Sequence, residues 1–373
     1  MSKQKSGGVS RRSMIGSAAG LLSVPFVTEA PIAWAQEKLK GSGEVVVQNF
    51  GGPLTQAIRR AIHEPFTKAT GIKVIDVVAD LSEGPVMAMS RAGKIDWDMA
   101  DVVNYPPLLT GGALELIDYS LWDRESLEGV PPYARLKIGV LRYSSGMTVA
   151  YDERAFPNGG PKNWVDFWDV KKFRGPRGLV GNNPRYLFVI ALLADGMARK
   201  DIWPLTEDKL DRAFKKLNEI KPHITKWFTA AGEPIQLLIN GEYAMACSYP
   251  GRSLSAIRQG APIKMSWDDA CLAHSTLSVI LKGGPNTINA QKLMAFMNRA
   301  QIAAAFTDAA SYPAPNANML KYLPANLIPQ LGTAPENASK AVVQDDEWLL
   351  AIRPDGKTNF AHLDERWLAW RAG

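Results

Sequence analysis

Glu44-Val45-Val46-Val47-Gln48-Asn49-Phe50-Gly51-Gly52-Pro53-Leu54-Thr55 decides how the rest of this 373-residue chain is read. Its first seven residues form an apolar-rich run of strand length, as in a strand covered on both faces. Gly51 and Gly52 interrupt the run, and Pro53 suits the first turn of a helix. Helical apolar spacing through Ile58, Ile62 and Phe66 predicts one helix over residues 54–67, ended at Gly71. Residues 72–78 read as the next strand, 84–92 as a helix and 99–103 as a third strand. Strand, helix, strand, helix, strand is the signature of a parallel sheet in an α/β fold.

Further along, the extended stretch 141–151 and the polar loop 152–163 predict a crossing into a second lobe. A second α/β pattern follows, with strands at 178–180 and 243–247 and helices at 186–194, 207–220 and 234–239. Residues 275–281 read as a strand returning to the first lobe. Residues 290–307 read as one amphipathic helix through Leu293, Phe296, Met297, Ile302 and Phe306. The expected division is lobe 1 at 43–149 plus 276–322, and lobe 2 at 150–275 plus 323–373. A chain of this length exceeds what one hydrophobic core ordinarily serves. No internal repeat is evident.

The N-terminus reads as a targeting segment rather than structure. Lys3, Lys5, Arg11 and Arg12 precede a short apolar stretch, and Ala33-Trp34-Ala35 has the small-x-small form of a cleavage box. Ser10-Arg11-Arg12-Ser13-Met14-Ile15 has the form of a twin-arginine export signal. The expectation is a periplasmic protein cleaved near Ala35, leaving 338 residues. No later stretch reaches the roughly 20 apolar residues that span a bilayer.

Removing four basic residues and Glu29 from the totals of 43 and 37 leaves 39 against 36, a charge of about +3. That is no electrostatic footprint for nucleic acid. Cys247 and Cys271 could form a disulfide after export or stay as buried thiols. His63, His223, His274 and His362 are scattered. No Gly-x-Ser-x-Gly, His-Glu-x-x-His, Cys-x-x-Cys or phosphate-binding Gly-rich loop is found. The reading is therefore of a protein that is not an enzyme, without cofactor or metal; an extracellular hydrolase is the rival from another class.

Several ordered segments carry a family resemblance. They are Phe66 to Val74, Asn163-Trp164-Val165-Asp166-Phe167-Trp168 with Phe173-Arg174-Gly175, Asn240-Gly241-Glu242, Gln259 to Ile263, and Tyr312 to Asn316. In that order they make the chain resemble the spermidine/putrescine-type periplasmic binding proteins, type 2 extracellular solute-binding proteins of ABC importers. The resemblance implies a monomer of two α/β lobes that shut on a small-molecule solute and hand it to an inner-membrane permease with its ATPase. Strand ends make such a crevice, and hinge closure buries the guest.

The resemblance also implies where solute is held, and there the sequence departs from it. Polyamine binders grip ammonium groups with carboxylates and stack aromatic rings on the alkyl chain. Here an acidic pair becomes Asn182-Asn183, another acid falls on Tyr186, and a Trp-x-Asp becomes Ala273-His274-Ser275. A dication buried without carboxylates is costly, whereas Arg suits a carboxylate or phosphate. The expected ligand is a small anionic or zwitterionic solute, with Arg185 and Arg252 as charge partners. Asn49, Phe50, Asn104, Tyr105, Asn183, Tyr249, His274 and Ser275 complete the expected site, and Trp348 is a further aromatic candidate. Trp164 and Trp168 read as structural. A true polyamine binder remains a rival, as does a ferric-ion binder of the kind that uses paired tyrosines, although no Tyr-Tyr occurs here.

Overall fold

A computed structural model describes residues 38–79, 82–273 and 276–373, so the expected export signal and the pair His274-Ser275 lie outside the described residues. Twelve strands are described. They are β1 (Glu44–Asn49), β2 (Lys73–Val78), β3 (Met99–Val102), β4 (Arg135–Leu136), β5 (Gly139–Leu141), β6 (Ser145–Asp152), β7 (Arg177–Val180), β8 (Lys226–Phe228), β9 (Met245–Ser248), β10 (Ile263–Ala273), β11 (Leu277–Ile280) and β12 (Val342–Val343). They form two six-stranded sheets, ordered β2-β1-β3-β11-β5-β4 and β12-β10-β6-β9-β7-β8.

The two sheets share a plan. In the first, β1 lies between parallel β2 and β3, and β11 runs antiparallel beside β3. In the second, β7 lies between parallel β8 and β9, and β6 runs antiparallel beside β9. Each sheet therefore offers a matching pair of carboxyl ends, β1 with β3 and β7 with β9, where ligand crevices of α/β sheets form. The first crossing falls at residues 142–144, earlier than the expected 149/150 boundary. β6 pairs with both β9 and β10, which commits its residues from Ser145 onward to the second sheet.

Each sheet has its own core. In the second lobe, the helix Pro184–Ala194 is buried along its whole length, which explains its nearly unbroken apolar sequence. Trp164 and Phe167 are sealed beside it, and the Trp164 indole N–H donates to the Asp269 carbonyl at 2.7 Å. Trp168 donates to the Lys216 carbonyl at 3.1 Å, so both tryptophans serve the core. At roughly 1.5–3 kcal/mol per large apolar side chain, this helix and its cover contribute much of the lobe's stability.

Two helices differ from expectation for local reasons. The helix after β1 is Gly52–Ile58, a π turn at Arg59–His63 and then Glu64–Thr70. Pro65 has no N–H for the Ala61 carbonyl and its ring crowds that group, and the wider turn relieves the conflict. The expected single helix over 290–307 is two, Thr287–Met297 and Ala300–Ala310. Asn298 turns its side-chain amide back onto the Met294 carbonyl at 2.9 Å, its own carbonyl accepts from Asn316 at 2.8 Å, and Arg299 takes an extended conformation.

A polar knot fastens β1, β2 and the first helix. The Asp76 carboxylate accepts from the Asn49 amide and from Arg59 Nε at 2.5 Å, and His63 Nδ1 lies 3.1 Å away. Burial pushes this carboxyl up, but hydrogen bonds and charge from His63 and Arg59 outweigh it, leaving it below its ordinary 3.8. Its contribution to stability is thus present above pH 3.8 and is lost as pH falls through the lower folded-state value. Asp76→Asn should lower stability by about 1–3 kcal/mol at neutral pH and flatten the acid limb of the stability curve, read by urea unfolding from pH 7 to pH 2.5. An unchanged acid limb would remove the knot from the account.

Cys247 and Cys271 are free and buried. Cys247 pairs with Val149 on one side of β6, and Cys271 with Met147 on the other. Two strand spacings, about 9.5 Å, exceed the roughly 7 Å limit for a disulfide. Burial pushes both thiols up in pKa, so they are poor nucleophiles. Reductant should leave the melting temperature unchanged. Alkylation should modify neither thiol in native protein and both in urea, as mass spectrometry would show.

Candidate functional site

At the carboxyl end of β7 the chain turns sharply into the helix Pro184–Ala194. Three side-chain hydrogen bonds hold that turn. The Trp367 indole donates to the Gly181 carbonyl at 2.9 Å, Asn182 donates to the Thr229 carbonyl at 3.1 Å, and Asn183 donates to the Tyr249 hydroxyl at 2.8 Å. Pro184 starts the helix, and Arg185 follows in its first turn, only 6% exposed. The guanidinium carbon lies 4.8 Å from the centre of the Tyr186 ring and 5.1 Å from that of Phe360. Its Nε and Nη1 are shut from solvent and have no partner among the described residues. A buried cation in that condition is unfavourable unless an anion completes it.

Phe360 belongs to the C-terminal helix Asn359–Ala372, and Asp364 lies one turn beyond it on the same face. Burial pushes the Asp364 carboxyl up to about 6; the Arg185 charge opposes this and Glu83 reinforces it. No hydrogen bond holds this carboxylate among the described residues. Arg185 is thus accompanied by an acid that it does not satisfy.

The other lobe closes the opposite side. Glu83 accepts from the backbone N–H of Val103 at 2.7 Å and of Asn104 at 3.1 Å, which fixes the loop after β3. Asn104 Oδ1 is buried without a partner among the described residues. Tyr105 is half-buried, and its hydroxyl is pushed up by burial and by the charge of Asp346. Asp346 sits in the segment after β12, so the two lobes bring these groups within electrostatic reach of each other. After β1, Gly51 and Gly52 both adopt the left-handed conformation that glycine tolerates. There Phe50 packs on the first lobe's core, while the Asn49 amide is committed to Asp76.

Between the lobes lies a cluster of buried tyrosines. Tyr249 packs against both cores, and Tyr143 and Tyr312 have ring centres 4.9 Å apart. Gly251 lets the second lobe close on Tyr312, since a side chain there would meet the ring at 2.5 Å. Arg252 reaches the Tyr312 hydroxyl and lines a cavity of about 290 Å³ with Pro53, Leu54, Gln236 and Ser255. Burial raises all four phenols: Tyr312 rises to about 12 with Arg252 opposing, and Tyr143, Tyr186 and Tyr249 rise as well. These hydroxyls stay protonated at neutral pH. Among the described residues no group of three or more His, Cys, Asp or Glu gathers to hold a metal.

Asn183 is thus hydrogen-bonded to Tyr249, and Tyr249 is within electrostatic reach of Arg185, whereas Arg252 lines a separate cavity; Tyr105 of the first lobe is within electrostatic reach of Asp346. Trp348 is half-buried against Trp203, ring centres 5.7 Å apart, and supports the second core. Phe360, Asp364, Asp346, Glu83 and Tyr143 were not anticipated. The i, i+4 pair Phe360/Asp364 was a signal of one helix face, but nothing nearby in sequence ties that face to Arg185.

Residues 61–331 match the family described as bacterial extracellular solute-binding protein. The chain is 31% identical to the gamma-aminobutyric acid-binding protein of Pseudomonas aeruginosa over 91% of this chain and 94% of that one. It is 23% identical to spermidine/putrescine-binding periplasmic protein 1 of Haemophilus influenzae over 88% and 93%. The crystal structure of an ABC transporter protein from Rhodopseudomonas palustris superposes with a TM-score of 0.80 at 33% identity, covering 88% of this chain and 99% of that one. Fold and matches agree that the chain belongs to the bacterial extracellular solute-binding proteins, the solute-capturing components of ABC importers.

Proposed function

We propose that this protein captures a short zwitterionic amino acid of the γ-aminobutyrate kind in the periplasm and delivers it to an inner-membrane permease and its ATPase. The observation that carries this reading is Arg185, buried to 6% exposure with Nε and Nη1 unpaired among the described residues. A solute carboxylate supplies the missing acceptors and the neutralising charge in one group. Tyr186 and Phe360 flank the guanidinium and keep water from competing for it. Lobe closure brings Asn104 and Tyr105 over the guest, and Arg252 acts through Tyr312 at the far side of the cleft. The relative from Pseudomonas aeruginosa, named for gamma-aminobutyric acid, supports the same chemistry. Export through a signal cleaved near Ala35, by the twin-arginine route, and action as a monomer complete the proposal.

The reading separates three solutes that share a four-carbon spine and differ only in end charges: succinate, γ-aminobutyrate and putrescine. Putrescine would set an ammonium beside Arg185. Two like charges about 6 Å apart repel by about 3 kcal/mol at an effective dielectric near 20. Isothermal titration should show micromolar or tighter binding of γ-aminobutyrate and at least about 100-fold weaker binding of the other two. Arg185→Met should weaken γ-aminobutyrate by at least about 100-fold, or about 3 kcal/mol, with the melting temperature of the empty protein unchanged or raised. Tight putrescine binding with silence toward γ-aminobutyrate would overturn the reading.

A further inference from the structure

Arg185 explains one end of a zwitterion; the other end requires an acceptor, and the C-terminal helix supplies a candidate that faces the same guanidinium. We infer that Asp364 receives the solute's ammonium group, and that loading the cleft displaces a proton from this carboxyl to solvent, so the solute is held less tightly as the surroundings acidify. The inference rests on the zwitterion reading and adds to it a specificity residue and a proton linkage.

The geometry comes from three elements. Phe360 fixes the helix Asn359–Ala372 against Arg185 at 5.1 Å from ring centre to guanidinium carbon, and Asp364 is one turn further on. Across the cleft, Glu83 is within electrostatic reach of Asp364 while its own carboxylate is occupied by the Val103 and Asn104 amides. The other charged groups of the helix are engaged elsewhere: His362 and Arg366 with Glu207, Glu365 with Lys357 at 2.5 Å, and Arg371 over the Trp227 and Trp367 rings. Asp346, after β12, accepts from the Gln344 amide. Asp364 is therefore the acid of this neighbourhood without a hydrogen bond among the described residues, and it lies within electrostatic reach of the Arg185 cation.

The proton follows from burial. In the empty cleft, desolvation holds the carboxyl near 6, so at pH 5 most molecules carry the proton. An arriving ammonium favours the carboxylate; the O–H bond breaks, the proton leaves to water, and the ion pair forms. A dicarboxylate meets a second negative group there, which adds a reason for the site to refuse succinate. Groups that raise affinity only when ionised give binding that weakens on the acid side of their pKa.

Calorimetry of the whole exported chain with γ-aminobutyrate tests this, run at pH 5, 6.5 and 8 in pairs of buffers that differ in ionisation enthalpy. The wild type should bind about tenfold more weakly at pH 5 than at pH 8, releasing close to one proton per solute at pH 5 and close to none at pH 8. Asp364→Asn should bind at least about tenfold more weakly than wild type at pH 8, with no change between pH 5 and 8 and no proton release. Tight wild-type binding that is flat with pH, or an Asp364→Asn protein that keeps the wild-type slope, would overturn the inference and leave the zwitterion reading standing. Failure of γ-aminobutyrate to bind at pH 8 would remove that reading and this inference together. The wild-type proton count needs no variant to fold.

Discussion

A guanidinium taken out of water with two nitrogens unpaired is unfavourable in a folded chain, and Arg185 is held in that state among the described residues. Arg185 lies in the first turn of a fully buried helix, between two aromatic faces, with two nitrogens that no described protein atom satisfies. The surroundings are built to keep it so. Trp367 clamps Gly181, Asn183 ties the turn to Tyr249, and Tyr249 packs on both cores. Each contact makes the turn after β7 harder to move, and a rigid turn cannot swing Arg185 out to solvent. The turn after β7 therefore holds two buried guanidinium nitrogens that lack a partner among the described residues.

Much of the fold was legible because periodicity and turn chemistry agree. Strand β1, the two left-handed glycines and the proline-started helix follow directly from the stretch at Glu44, and helix Glu207–Ile220 occupies its expected bounds. What escaped was local conflict. Pro65 sits inside an otherwise helical pattern and widens one turn, and Asn298 breaks a helix whose apolar spacing continues through it. β10 was unforeseen because Ser266, Asp268 and Asp269 interrupt its apolar pattern, and a bulge between Ser266 and Cys271 absorbs them.

Of the candidate site, the sequence points to the residues at strand ends. Asn183, Arg185 and Tyr249 stand immediately after β7 and β9, the positions that α/β sheets expose to ligands. Asn49 stands equally well placed after β1, yet its amide turns to Asp76, a partner 27 residues away that only the β1–β2 register reveals. Phe360 and Asp364 were illegible for a stronger reason. They come from the last helix, nearly 180 residues from Arg185, and reach it only because that helix packs on the helix Pro184–Ala194. The departure from the polyamine pattern at Asn182-Asn183 was informative all the same, since it removed negative charge where the structure places a cation.

What meets the Arg185 cation decides the solute. A crystal structure of the exported protein grown with γ-aminobutyrate is the most direct measurement. It should place the solute carboxylate about 2.7–3.0 Å from Arg185 Nε or Nη1, with the lobes shut over it. A closed, occupied cleft in which those two nitrogens still face no anion would contradict it.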